Sequence, residues 1–253
     1  MRKILITNDD GITSDGMIRL AREAKAFGEV WVVAPETQRS AASHSITLHS
    51  PLDVYPYPFP VDGVHAWSCS GTPGDCVRVG SLHIMPAKPD VVLSGINHGY
   101  NVASDIQYSA TAGAAFEAAF QGYPGIALSE EACGCHEVTD AYLHEILERL
   151  LEEEPEPGQI FNVNFPGCPL SACRGVLENR TVSRGMFYRD HYKELEKLDR
   201  GGVRLMVEGV YNEDAEEGSD FRAVVDHYVS VGKVFNIGYG TDCDSHFKKT
   251  MIR

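Results

Sequence analysis

Through residue 166 this chain alternates short apolar runs with stretches whose apolar residues recur at helical spacing, and that alternation admits few folds. The runs are Lys3-Ile4-Leu5-Ile6-Thr7, Val30-Trp31-Val32-Val33-Ala34-Pro35, Val91-Val92-Leu93, Gly125-Ile126-Ala127-Leu128-Ser129 and Phe161-Asn162-Val163-Asn164-Phe165. None approaches the ~20 apolar residues of a membrane helix, and each has the length of a buried strand. After the first run, Thr13 or Ser14 can cap a helix carrying Met17, Leu20, Ala21, Ala24 and Phe27, with Gly28 ending it. An alanine-rich helix is predicted at about 111–122. Another follows the fourth run, with Leu143, Ile146, Leu147, Leu150 and Leu151 on one face. Strand followed by helix, repeated, predicts an α/β, Rossmann-like, doubly wound, mostly parallel sheet.

Two segments depart from this grammar. Residues 46–67, rich in proline and tyrosine, read as an irregular excursion with short extended pieces. Beyond Pro166, residues 204–211 and 221–231 read as two strands joined by the acidic loop 212–220. The expected organisation is a Rossmann-like core over 1–166 and a β-rich C-terminal segment over 167–253 with a hairpin. An isolated hairpin is marginal in water, so this one calls for a packing partner, most simply a second copy of the chain.

The formal net charge of -14 argues against binding duplex nucleic acid, which needs a basic face. Seven cysteines, an odd number, suit reduced thiols better than a disulfide framework. Cys133-Gly134-Cys135-His136, with Cys168 and Cys173, lacks the paired spacing of a zinc site. Met1-Arg2-Lys3-Ile4 passes into the first strand without an apolar leader. A cytoplasmic protein without membrane attachment is expected.

Chemistry concentrates where the runs end. The first ends in Asn8-Asp9-Asp10-Gly11, the second in Glu36-Thr37-Gln38-Arg39-Ser40, the third in Ser94-Gly95-Ile96-Asn97-His98-Gly99-Tyr100-Asn101. In a parallel sheet all three clusters share one edge, the edge at which α/β proteins bind ligands. Two adjacent carboxylates repel by roughly 1–4 kcal/mol at contact, and a hard divalent cation reverses the sign. The oxygen-rich set points to Mg²⁺ or Mn²⁺ rather than zinc. Tyr108-Ser109-Ala110-Thr111 opens the alanine-rich helix, where hydroxyls and free N–H groups suit an anion as well as a plain cap. Ser68-Cys69-Ser70-Gly71-Thr72-Pro73-Gly74-Asp75 forms a second small-residue loop. There is no P-loop, no Gly-x-Gly-x-x-Gly and no Gly-x-Ser-x-Gly elbow.

In order, Asn8-Asp9-Asp10-Gly11-Ile12, Val33-Ala34-Pro35, Arg39-Ser40, Ser70-Gly71-Thr72-Pro73 with Asp75, Ser94-Gly95-Ile96-Asn97, Tyr108-Ser109-x-Thr111 and Asn162-Val163-Asn164-Phe165-Pro166 resemble the SurE (survival protein E) nucleotidases. The resemblance is dense over 3–166 and thinner at Gly218-Ser219-Asp220 and Tyr228-Val229-Ser230-Val231. It implies a divalent-metal-dependent phosphomonoesterase acting on nucleoside 5′- and 3′-monophosphates. It further implies one Mg²⁺ or Mn²⁺ per subunit, held by Asp9, Asp10, Ser40 and Asn97. Asn101, Ser109 and Thr111 would line the phosphate pocket, and a C-terminal hairpin exchanged between subunits would make a homodimer or homotetramer. Asp9 and Asp10 are the candidate catalytic residues, since one of them can orient or deprotonate the attacking water. Ala110 and Ala41 stand where the family often has glycine.

The alternatives are another small-molecule phosphatase or a non-enzymatic phosphoacceptor or nucleotide-binding module. Dehalogenase-type phosphatases need an aspartate two positions after the first, where this chain has Gly11 or Ile12. A receiver-type module would be about half this length and leave Ser40 and Asn97 without a role.

Overall fold

The structure, a computed structural model, describes residues 1–212 and 214–235. Its central sheet has nine strands. They are β1 (Arg2–Thr7), β2 (Gly28–Pro35), β3 (Val54–Pro56), β4 (His65–Cys69), β5 (Val91–His98), β6 (Gly125–Glu130), β7 (Gln159–Phe165), β8 (Val176–Leu177) and, late in the chain, β11 (Val229–Phe235), in the order β3-β4-β2-β1-β5-β6-β7-β11-β8. From β4 to β7 every neighbouring pair is parallel. β3 and β11 join antiparallel, to β4 and β7.

The alternation of side chains along β1 explains the double winding. Ile4 and Ile6 face one core with α1 (Asp15–Ala24) and α4 (Glu137–Leu150), through Met17, Leu20, Leu143, Ile146 and Leu147. Leu5 faces the other, with Cys76 and Val77 of α2 (Pro73–Val79) and Ala114 and Ala118 of α3 (Ala110–Phe120). A slip of one residue would exchange the two faces. The chain steps from β1 outward to β2, then returns to place β5 on the other side of β1. That reversal puts a crevice at the carboxyl ends of β1 and β5.

Several local readings change. α1 ends at Ala24, the N–H groups of Ala26 and Phe27 close its last turn, and Gly28 begins β2 instead of ending the helix. The Thr72–Asp75 loop is a helix start: Thr72 and Asp75 form a reciprocal capping box with Pro73 in the first turn. β5 runs on through Asn97 and His98, which therefore belong to the strand and not to the loop after it.

The largest correction is at the C-terminal end. Residues 204–211 do form a hairpin strand, β10 (Val203–Tyr211), but its partner is β9 (Tyr188–Lys197). Residues 221–231 instead split between α5 (Asp220–Val225), capped by Ser219, and β11, which completes the main sheet. The physical reason lies in β9: Tyr-Arg-Asp-His-Tyr-Lys-Glu-Leu-Glu-Lys buries neither face, so it shows no core-directed pattern. Among the described residues no helix is long and apolar enough to cross a membrane.

Candidate active site

The site grows from the turn after β1. Asn8 is fully buried, donating from Nδ2 to the Gly11 carbonyl (3.1 Å) and the Ser14 hydroxyl (2.6 Å), while its Oδ1 accepts the Gly11 N–H (3.2 Å). That clamp fixes the following acids. Asp9 is 4% exposed, and the Thr111 hydroxyl donates to its Oδ1 at 2.6 Å. Asp10 is half-buried and accepts the main-chain N–H of His98 at 2.9 Å and the Gln38 side chain at 3.3 Å. Three elements, β1, β5 and α3, thus converge on the two carboxylates.

β5 packs closely on β6 where Gly95 sits at φ +145°, for a Cβ there would lie 2.3 Å from the Leu128 carbonyl. Asn97 follows, half-buried, its amide nitrogen donating to the Gly99 carbonyl at 2.9 Å so that its oxygen is turned the other way. Ser40 is exposed on the loop over residues 36–46, next to Arg39, whose N–H donates to the Asp9 carbonyl at 2.7 Å. Ser109 caps α3, accepting the Ala112 N–H at 3.0 Å.

Asn101 lies in a separate buried amide cluster. Its side chain donates to Ser129 (2.7 Å), its N–H to Asn164 Oδ1 (2.8 Å), and its carbonyl accepts from Asn162 (2.9 Å) and Asn164 (3.1 Å). Hence Asp9, Asp10 and Thr111 are joined by direct bonds or a shared turn. Ser40 and Asn97 flank them on neighbouring backbone, and Asn101 and Ser109 are engaged with other protein groups.

The electrostatics separate these acids from their neighbours. Burial, joined by the charge of Asp10, pushes the Asp9 carboxyl up to about 6, although the Thr111 hydrogen bond pulls the other way. Among the described residues no lysine, arginine or histidine ion-pairs with Asp9 or Asp10. Two other buried acids are paired with cations: Glu130 at the end of β6 lies 2.7 Å from Arg19 and 2.9 Å from His136, and Glu117 of α3 lies 3.0 Å from Arg78, while Asp75 and Asp220 are held by several hydrogen bonds each. The donor set is carboxylate, amide and hydroxyl oxygen, which fits a hard divalent cation. No three His, Cys, Asp or Glu side chains among the described residues form a metal cluster, so any such ion relies on the two aspartates and on serine and asparagine oxygens.

Two supports lie in segments that carry the resemblance but were given no role from the sequence. Asn162 and Asn164 occupy alternate positions of an otherwise apolar buried strand, and that period-2 pair of amides was the available signal. Asp220 is 3% exposed, and its carboxylate accepts N–H groups from Ala103, Ser183 and Phe221, pinning the segment after Asn101 from far along the chain. Nothing local in the sequence announces that contact.

Comparison with known proteins places this arrangement. The model of the family described as Survival protein SurE matches residues 4–186. A protein of Clostridium botulinum (strain Loch Maree / Type A3) named 5'-nucleotidase SurE is 37% identical over 233 residues, covering 90% of each chain. One of Erwinia tasmaniensis named 5'/3'-nucleotidase SurE is 38% identical over 231 residues, covering 90% of this chain and 88% of that one. The crystal structure of the SurE protein from Aquifex aeolicus superposes with a TM-score of 0.78 at 32% identity, covering 92% of this chain and 93% of the other.

Proposed function

We infer the function from the family: the chain belongs to the survival protein SurE family, and it is a nucleotidase, a hydrolase of nucleoside monophosphates. The observation that carries the reading into chemistry is the Asp9–Asp10 pair, buried on one side and without a cationic partner at the β1/β5 crevice. A divalent ion bound there neutralises phosphoryl oxygens and lowers the pKa of water. Asp9 and Asp10 would hold it with the Ser40 hydroxyl and the Asn97 amide oxygen, as one Mg²⁺ or Mn²⁺ per subunit.

The protein's own part is to place charge and exclude disorder. Thr111 fixes the orientation of the Asp9 carboxylate, and His98 N–H fixes that of Asp10. The start of α3 lies beside Asp9 through Thr111, where the positive end of the helix would favour a phosphoryl group. In this reading Asp9 or Asp10 also accepts the proton of the attacking water, while Asn101, Ser109 and Thr111 border the phosphate. The single bond already made by Thr111 to Asp9 supports an orienting role for that residue.

The hairpin of β9 and β10 supports a homodimer or homotetramer. It stands off the main sheet with Tyr192, Leu205, Met206, Val207 and Val210 about half exposed or more. The decisive assay is phosphate release from 5′-AMP and 3′-AMP with Mg²⁺ or Mn²⁺ against an EDTA control. Turnover that is metal-dependent is expected. Equal turnover in EDTA would remove the metal from the proposal, and none in any condition would remove the nucleotidase.

A further inference from the structure

The loop over 36–46 carries Arg39 and Ser40 and then crosses the first turns of α3. At its start it is tied to the site, by Arg39 N–H to the Asp9 carbonyl and by the Arg39 guanidinium to the Ser70 carbonyl at 2.8 Å. At its far side the Ser43 N–H donates to the Tyr108 carbonyl at 3.0 Å, and His44 Nε2 lies 2.8 Å from Glu117 Oε2. Glu117 is itself 4% exposed and fixed by Arg78 and Gln121, each at 3.0 Å, so it is a rigid anchor.

Between the two ends the backbone is strained. Ala41 and Ser43, neither of them glycine, adopt φ of 57° and 52°. Left-handed conformations of this kind persist only where surrounding contacts impose them. α3 is shaped to receive the loop, for a Cβ on Gly113 would lie 2.5 Å from the Ser43 carbonyl and 2.9 Å from the His44 Cα. The His44 ring also stacks on Phe120, with centroids 5.2 Å apart.

We propose that His44 is a positioning residue for the metal end of the site: bonded to Glu117, it clamps the strained loop onto α3 and so holds Ser40 beside Asp9 and Asp10. The inference rests on the nucleotidase reading for its purpose, and on geometry alone for its mechanics. The bland alternative is that His44 only packs against Phe120 and stabilises the fold. His44 touches neither carboxylate, so its effect must travel through the loop.

Three variants separate the two accounts. H44A removes bond and ring, H44F keeps a ring on Phe120 without the bond, and H44Q keeps a donor at the reach of Nε2. Mn²⁺ binding to the purified full chain is followed by the electron paramagnetic resonance signal of the free ion, and folding by Tm. Expected is about tenfold weaker Mn²⁺ binding in H44A and H44F, the loss typical when a group orienting a ligand is removed. H44Q restores most of it, and Tm stays close to the wild type in all three. Binding unchanged in H44A, wild-type binding in H44F, or a deficit that merely follows Tm and is not rescued by H44Q overturns the proposal. So does a wild-type chain that takes up no Mn²⁺. The nucleotidase reading is judged separately, by phosphate release from AMP by the wild type, and its failure leaves the Mn²⁺ comparison standing.

Discussion

Asp9 occupies a site that favours its protonated form until a cation arrives. Its folded-state pKa of about 6 lies above the unfolded value of ~3.9. Between those values the folded apo protein keeps a proton that the unfolded chain has lost. The contribution to stability is therefore complete below pH ~4 and disappears as pH rises through 6. Relative to the wild type in EDTA, Asp9→Asn should gain stability between pH 4 and 7, by at most ~3 kcal/mol, in urea denaturation. The same variant, with Mn²⁺ present, should lose about 10²-fold or more in kcat/KM. Thr111→Val keeps the shape but deletes the bond that lowers the Asp9 pKa. Its Mn²⁺ binding should be weakened more at pH 6 than at pH 8, and an equal deficit at both would show that the hydroxyl acts otherwise. The two aspartates were legible because adjacent acids at a strand end are chemically odd. Thr111 was legible only as a helix-start hydroxyl, since its bond to a residue 102 positions away depends on the fold.

At the scale of elements, α3 is where sequence and structure agree least simply. Its alanines and its cap are written plainly, although burial on nearly every side leaves it without an amphipathic period. Its one glycine looks like a defect costing about 1 kcal/mol against alanine. The structure shows the reason in the close approach of the Ser43–His44 backbone. Gly113→Ala should thus preserve or raise helix content by circular dichroism while weakening Mn²⁺ binding, two changes of opposite sense from one methyl group. A rise in helix content with unaltered binding would show that the loop can shift freely. Five parallel strands, β1, β2, β5, β6 and β7, were legible because both of their faces are buried, which gives continuous apolar runs, whereas β4 lay in the segment read as an excursion and loop. β9 was not, because a strand that buries neither face carries no such mark, and α5 was hidden in a stretch apolar enough to pass for strand.

For the molecule as a whole, the base of the hairpin is closed on itself. Phe187 and Asn212 meet where it leaves the body, the Asn212 N–H donating to the Phe187 carbonyl at 3.0 Å. Replacing 188–211 by a short glycine-serine turn should therefore leave a folded body and reduce a dimer or tetramer to a smaller species by light scattering. An intact chain that is monomeric at micromolar concentration and fully active would overturn the oligomeric reading, and the metal chemistry would be unaffected. The place of β1 has a consequence of another kind. It precedes both of its neighbours in the chain, flanked on one edge by β2 and on the other by β5, whose register partner for Ile4 is Val91. Its second edge cannot be covered until much of the sheet has been synthesised, and Asp9 waits longer still, for Thr111. During synthesis the two acids are made before β5 and α3, and until those arrive they stand in water as an ordinary polar turn, with neither burial nor the Thr111 and His98 bonds to fix them for a cation. The order of the elements thus leaves the candidate site incomplete until α3 has been made, 102 residues after the first of its two aspartates.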